Sequence, residues 1–519
     1  MFRRLGALES KIMTFLELLY GAEVLSQSGN PGIGGLEYDS RRIKPGDAFI
    51  AMQGESSNGN KFIDQAISAG AVAIVTDSAA EKLRPDMAWA QVPHGRRALA
   101  RLSANFYKKP AERLAITGIT GTNGKSTTAF LLESILLAAR RKSALIGTIE
   151  YHVAGKTLPA PHTTPEALEL NRILNQALGQ GATETVMEVS SHALEQQRVY
   201  GIPFDVAVFT NLTRDHLDYH HTMEDYFFSK QILFEGCGTE APRAVVPNTD
   251  DEYGQKLVKV SKKRSFEVLT YGLSKGDFRA DKIAITPRGT RFDLLTPKGS
   301  MPLFSPLIGK VNLYNILAAA GAAYSRSCEA EAIAQGVAAL TRVPGRFERV
   351  DCQQPFTVVV DYAHTDDALR NLTALAREFV QQAGQKGKVI TVFGCGGDRD
   401  RAKRPLMGEA AGRGSDFVIL TSDNPRSEDP LAIINDAMVG LQRSGTRYRT
   451  EPDRKAAIAL AVAEANPGDI VLIAGKGHEK VQITRDGSIP FDDVEVAQKV
   501  LRDAGYDCKS SNAAAGKRA

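Results

Sequence analysis

The chain has 519 residues, 43% of them hydrophobic and 24% charged, which is ordinary for a globular enzyme and long enough for about three domains. Lys and Arg total 64 against 60 Asp and Glu, and a net charge of +4 is too small to argue for a nucleic-acid partner. Five widely spaced cysteines (Cys237, Cys328, Cys352, Cys395, Cys508) fit a reducing cytoplasm and argue against a zinc cluster or a disulfide framework. No apolar run approaches the roughly 20 residues that span a bilayer.

The start, MFRRLGALESKIMTFLELLYG, has two arginines that could mimic a signal peptide. Glu9, Lys11 and Glu17 interrupt any apolar core, so export is not expected, and Met13 is an alternative start. Residues 1–112 contain LEYDSRRIKPGDAFIAMQG and FIDQAISAGAVAIVTD, which read as a small α/β domain with a turn at Pro45-Gly46-Asp47. Residues 113–342 open on a buried strand, Leu114 to Thr117, then a glycine loop and a helix from Lys125 to Leu137. Two more apolar strands, TETVMEVS and DVAVFTNL, end in polar residues, where open parallel sheets bind ligands. GKVNLYNILAAAGAAY reads as a helix with Asn312 and Asn315 on one face, suited to a polar ligand or simply to capping and solvent. In residues 343–505 the strands FTVVVDYAH, KVITVFGCGG, DFVILTSDNPR and DIVLIAGKGHE alternate with helical periodicity. That alternation implies a parallel sheet covered by helices on both faces. Residues 506–519 read as a small, polar, disordered tail. The expected fold is α/β: a small N-terminal domain, a central P-loop domain with a mainly parallel sheet, and a C-terminal Rossmann-like domain.

The stretch ITGITGTNGKSTTAF, residues 116–130, sets three glycines between a strand and a helix. Glycine lets backbone N–H groups approach an anion, and the helix N-terminus favours negative charge. Lys125 would reach terminal phosphates and the Ser126 hydroxyl would ligate Mg2+. The usual G-x-x-x-x-G-K-[ST] pattern puts its first glycine at Ile119, and Gly118 stands one residue early. An ordinary tight turn is the alternative. Further along, Glu188 ends a strand and suits a hard cation, or a structural ion pair. His216 follows another strand, as a ligand or a hydrogen-bonded loop histidine. Lys230 lies on a helix, where the bland reading is a solvated lysine.

In combination these stretches become specific. GITGTNGKST, MEVSSHALEQQRV, FTNLTRDHLDYH, GKVNLYN, VPGRFE, DYAHTDDAL, FGCGGDRDRAKRP, DNPR and AGKGHE occur in the order found in Mur ligases. From about residue 36 to 500 the chain resembles that family, in its diaminopimelate-adding branch, and the family's loop has the shifted glycine. The resemblance implies a cytoplasmic, ATP-dependent amide ligase, expected as a monomer with no nucleic-acid or membrane partner. ATP would convert the D-glutamate side-chain carboxylate of UDP-N-acetylmuramoyl-L-alanyl-D-glutamate into an acyl phosphate, which the amine of meso-diaminopimelate attacks.

Residue by residue, the resemblance assigns ATP to Gly121, Thr122, Asn123, Gly124, Lys125, Ser126, Thr127, Asn315, Arg346, Asp361 and His364. It assigns the UDP-muramoyl dipeptide to Ser40, Thr163, Thr164, Ser190, Gln196 and Arg198. Diaminopimelate would meet Arg399, Asp423, Asn424, Pro425, Arg426, Gly475 and Glu479. The Arg426 guanidinium can hold a distal carboxylate that lysine lacks, and lysine-adding relatives lack this arginine. Lys125, Glu188, His216 and Lys230 would be catalytic. Mg2+ would be held by Ser126, Glu188, His216 and Lys230, the last as N6-carboxylysine. One departure is Asp366, where many relatives have proline; an acidic residue there is expected to cap the following helix.

Overall fold

A computed structural model describes residues 12–508, apart from 55–56, 80–86, 154, 264–266, 287 and 383–386. The readings made on residues 1–11 and 509–519, the amino-terminal extension and most of the polar tail, lie outside the described residues. Two compact units emerge. The first comprises Met1–Gly118, Arg141–Ala207 and Ser229–Ala244; the second comprises Ile119–Arg140, Val208–Phe228 and Val245–Ala519. Among the described residues no helix is long and apolar enough to cross a membrane.

In the first unit, strands Gly35–Glu37, Asp47–Ala51, Ala73–Thr76 and Ala88–Gln91 run parallel, and Ser26–Ser28 adds an antiparallel edge. The turn before Asp47 uses Gly46 at φ 93°, as the Pro-Gly-Asp sequence predicts. Helix Gly95–Phe106 buries Ala98, Leu99 and Leu102 in a core with Phe15, Ile50 and Val75. Elsewhere in this unit Ser143–Ile146 pairs in parallel with Glu184–Glu188. On its other side an antiparallel hairpin, Glu150–Val153 with Lys156–Pro159, was not anticipated.

β1 (Ala115–Thr120) begins in the first unit and ends in the second, where α1 (Lys125–Ala138) follows. The strand is longer than its apolar start suggested and includes Gly118. A Cβ there would lie 2.8 Å from two ring carbons of Phe204 and 3.1 Å from Leu233, so Gly118 serves close packing inside the strand. Only Gly121 (φ 143°) and Gly124 (φ 89°) shape the loop. α1 is buried almost all round, which explains why its apolar residues follow no single stripe. Residues 279–305 form a three-stranded antiparallel meander, Arg279–Thr286, Gly289–Thr296 and Gly299–Ser305, that was also not anticipated. Its first strand is mostly exposed, so it carries little apolar signal. α2 (Lys310–Ser325) matches the predicted helix.

The remaining chain forms a six-stranded sheet from β2 (Glu348–Val350), β3 (Thr357–Asp361), β4 (Val389–Phe393), β5 (Phe417–Leu420), β6 (Arg447–Thr450) and β7 (Ile470–Ala474). Its order is β2-β3-β7-β4-β5-β6, parallel except for β2. The connecting helices are α3 (Asp366–Gln382), α4 (Lys403–Gly414), α5 (Pro430–Ser444) and α6 (Arg454–Glu464), with α7 (Asp493–Asp503) after β7. α3, α4 and α5 bury Leu369, Met407 and Ile433 in the core on one face. α6 and α7 bury Ile458, Val462 and Leu501 on the other. The chain moves outward from β4 to β6 and returns to place β7 between β3 and β4. A right-handed return crossover puts α6 on the opposite face. The switch of direction opens a crevice at the C-terminal ends of β3, β7 and β4.

The cysteines, whose spacing argued against a disulfide framework, do include one bonded pair. Cys352 and Cys508, 156 residues apart, form a disulfide. They meet because the segment after β2 and the chain leaving α7 share one core with Phe356 and Val500, a proximity that sequence spacing conceals.

Candidate functional site

The glycine loop is held from below by Asn211. Its carbonyl accepts from the Thr122 N–H at 2.8 Å and its Oδ1 accepts from the Asn123 N–H at 3.0 Å. Lys125 Nζ arches back over the loop, donating to the carbonyls of Gly121 (3.0 Å) and Thr122 (2.9 Å). Asn315 stands so close to Gly124 that any Cβ there would collide with its Oδ1. Asn315 also donates to Asn312 Oδ1 at 3.2 Å, so the two asparagines do share a face. The Ser126 hydroxyl, 2% exposed at the start of α1, accepts from Arg346 Nη2 at 3.3 Å. The Arg346 guanidinium in turn lies 4.6 Å above the Tyr362 ring.

Asp361, at the end of β3, accepts from the N–H groups of Phe347 (2.6 Å) and Ala363 (2.8 Å). Burial raises its pKa, opposed by Arg346. Several of these groups line one cleft of about 120 Å3. Asn123, Gly124, Ser126, Thr127, Asn315, Arg346, Asp361 and His364 all face it, beside apolar Ile308, Val311, Leu372 and Leu375. An apolar wall next to a phosphate-type loop suits a flat base with a charged tail.

A second pocket of about 200 Å3 occupies the crevice of the six-stranded sheet. Arg399, Asp423, Asn424, Arg426, Gly475 and Glu479 line it, together with His216, His364, Asp215 and Lys403. Pro425 is not part of the lining; it precedes Arg426, whose φ of 52° turns the chain. Arg426 donates one N–H to the Gly397 carbonyl at 2.7 Å. Burial lowers its pKa, and the neighbouring Arg399 charge adds to the effect. Gly475 (φ 116°) is required by both conformation and space, since a Cβ would sit 2.5 Å from Asp423 Oδ2. Behind the wall, Lys476 is fully buried and donates to Asn424 Oδ1 (2.9 Å) and Glu479 Oε2 (3.0 Å).

Where His216 faces this pocket it lies beside Asp215, 3.4 Å from Nε2 to Oδ2. Asp215 also meets Lys403 (3.5 Å) and His364 (3.7 Å). Burial alone would raise the Asp215 carboxyl, but the nearby His364 ring and the charges of Lys403 and His216 hold it well below the usual range. Lys230, on helix Met223–Glu235, is 1% exposed, so the solvated-lysine alternative fails.

In the first unit, Glu188 is 1% exposed and accepts from the Thr148 N–H (2.8 Å) and hydroxyl (2.9 Å). The Thr164 hydroxyl donates to the Glu188 carbonyl at 2.8 Å and accepts from the Ser190 N–H at 3.1 Å. Thr163 bonds Thr148 through their hydroxyls, and Ser190 caps the helix Ser191–Glu195. Arg198 donates to Gln196 Oε1 (2.8 Å from Nη2) and to the Thr164 carbonyl (3.0 Å), with Glu166 Oε1 3.0 Å from its Nε. Thus Thr163, Thr164, Ser190, Gln196 and Arg198 form one connected group. Ser40 is held separately, its hydroxyl donating to Gln65 at 3.0 Å.

Sequence reasoning did not single out Thr148, Glu166, Asp215, Lys403 or Lys476. Asp215, Lys403 and Lys476 do lie inside the motif stretches, where a charge flanked by apolar strands was the available signal. The expectation for Asp366 is corrected. Thr365 caps α3, its hydroxyl accepting from the Ala368 N–H at 3.1 Å, while Asp366 occupies the first helical position and pairs with Arg370. That first position is also where proline fits a helix, so the two residues are interchangeable there.

A glycine loop opening a buried helix, with a polar cleft above it and a second pocket at a parallel-sheet switch point, defines a P-loop α/β protein. Three family models cover most of the chain: Mur ligase family, catalytic domain (residues 32–107), Mur ligase middle domain (119–323) and Mur ligase, glutamate ligase domain (345–477). A UDP-N-acetylmuramoyl-L-alanyl-D-glutamate–2,6-diaminopimelate ligase of Solibacter usitatus is 55% identical over 91% of this chain and 94% of its own length. The protein of that name from Geobacillus thermodenitrificans is 45% identical over 95% and 99%. A solved structure with the same description superposes with a TM-score of 0.65 at 34% identity, covering 95% of this chain and 99% of the other. The chain belongs to the Mur ligase family.

Proposed function

We propose that this protein is an ATP-dependent amide ligase that joins meso-diaminopimelate to UDP-N-acetylmuramoyl-L-alanyl-D-glutamate in peptidoglycan precursor synthesis, acting in the cytoplasm as a monomer. The observation that carries the choice of amino acid is Arg426. Its guanidinium lines a pocket that also holds Asp423 and Glu479, so a carboxylate and an ammonium on one carbon can be met together. Three domains would divide the work: 1–112 for the UDP-sugar, 113–342 for ATP and 343–505 for the incoming amino acid.

Phosphoryl transfer is largely positioning and charge neutralisation. The glycine loop, braced by Asn211 through the Thr122 and Asn123 N–H groups, is the phosphate cradle, and Lys125 exchanges its loop carbonyls for phosphate oxygens. Asn315, Arg346, Asp361 and His364 set the rest of the nucleotide in the cleft. Thr163, Thr164, Ser190, Gln196 and Arg198 orient the dipeptide, and Ser40 holds the uridine end. Among the described residues no three His, Cys, Asp or Glu side chains converge as a metal set, so Mg2+ would need phosphate and carbamate oxygens beside the protein's own ligands. As the family resemblance implies, Ser126, Glu188, His216 and carboxylated Lys230 would be the Mg2+ ligands, and such ions neutralise phosphate charge. Burial of Lys230 fits a side chain that faces the protein rather than solvent, and carboxylation would make it an oxygen ligand.

The test is tripeptide formation, followed by mass, with ATP, Mg2+ and the UDP-muramoyl dipeptide, offering meso-diaminopimelate and L-lysine in parallel. Product with diaminopimelate alone is expected. Product with lysine alone would overturn the reading of Arg426, and product with neither would overturn the ligase assignment.

A further inference from the structure

Lys476 does not line the amino-acid pocket, yet three residues assigned to that pocket converge on it. Its side chain is 0% exposed. Nζ donates to Asn424 Oδ1 at 2.9 Å and to Glu479 Oε2 at 3.0 Å, and Asp423 Oδ1 lies 3.8 Å away. Asn424 closes the triangle by donating its Nδ2 to the same Glu479 oxygen at 2.8 Å. Glu479 is therefore fixed through one carboxylate oxygen, which leaves Oε1 for a ligand.

The charge count matters as much as the geometry. Asp423 and Glu479 are two acids on one wall, facing Arg399 and Arg426. A lysine behind them offsets one acid charge and keeps the carboxylates from repelling each other. Without it the pocket is more negative and Glu479 loses its anchor.

Building on the assignment of this pocket to diaminopimelate, we propose that Lys476 is a positioning and specificity-determining residue. It fixes Glu479 and Asn424 and sets a charge balance that accepts a zwitterionic amino-acid terminus in preference to a lone ammonium.

The test compares wild type, Lys476→Met and Lys476→Gln in the full-length enzyme, with KM measured for diaminopimelate, ATP and the UDP-muramoyl dipeptide. Lys476→Gln keeps a hydrogen-bond donor and serves if the Met variant does not fold. The expected result is a KM for diaminopimelate raised about tenfold or more, with the other two KM values within about twofold. The preference for diaminopimelate over L-lysine should fall as well. A folded variant with unchanged diaminopimelate KM overturns the proposal, as does a parallel rise in all three KM values, which marks a merely structural lysine. A wild type that makes no diaminopimelate product overturns the pocket assignment itself.

Discussion

Arg454 and Asp493 form an ion pair with both side chains at 0% exposure, joined by two hydrogen bonds of 2.8 and 2.7 Å. Arg454 also donates to the Ala474 carbonyl at 2.9 Å, which ties the helix starts of α6 and α7 to the end of β7, directly before Gly475. Removing one partner strands a buried charge. Asp493→Ala should cost about 3–5 kcal/mol, read as a lower urea midpoint. An unchanged midpoint would mean that water or another group satisfies Arg454.

Gly118→Ala should destabilise through packing alone. The new methyl would press on Phe204 inside β1, at a cost of about 1–3 kcal/mol. The measurement is chemical denaturation alongside nucleotide affinity. Loss of affinity at unchanged stability would return Gly118 to the phosphate loop.

Lys125→Ala removes the cation poised over the loop. Turnover at saturating ATP should fall by about 10²–10³-fold, with the melting temperature close to wild type. A variant that turns over normally would rule out Lys125 as a phosphate ligand.

Arg426→Lys keeps the charge but loses the planar fork. The KM for diaminopimelate should rise about 10- to 100-fold, the loss expected for hydrogen bonds to a charged group, while the KM for ATP stays put. Equal KM values in mutant and wild type would place the distal carboxylate elsewhere.

Cys237, Cys328 and Cys395 are buried and lie outside the disulfide. Burial pushes the Cys237 thiol up to about 11 and the Cys395 thiol up to about 12. Thiolate is the reactive form, so at about pH 8 these two should resist alkylation in the folded protein. Their reactivity should rise only as pH approaches those values. Unfolded without reductant, the chain should take up three labels, and after reduction all five cysteines should react. Five labels without reductant would show that Cys352 and Cys508 are unpaired in the purified protein.

The sequence by itself determined what nearest neighbours along the chain decide. Helices α1 and α2 fall where their apolar and Asn-bearing runs lie, and the alternation of β3, β4, β5 and β7 with helices is legible because strand and helix periodicities are local, whereas β6, mostly exposed, carries no apolar signal. The Gly121 and Gly124 turns are legible too, since positive φ is a preference of the residue itself. Tertiary structure decided the rest. Whether Lys230 meets solvent, whether Gly118 turns or packs, and whether Asp215 gathers His216, His364 and Lys403 depend on residues far along the chain. So does the meeting of Cys352 with Cys508 and the convergence of Asp423, Asn424 and Glu479 on Lys476. Burial and charge pairing are properties of the assembled surroundings, and one chain segment carries only its own half of each pair.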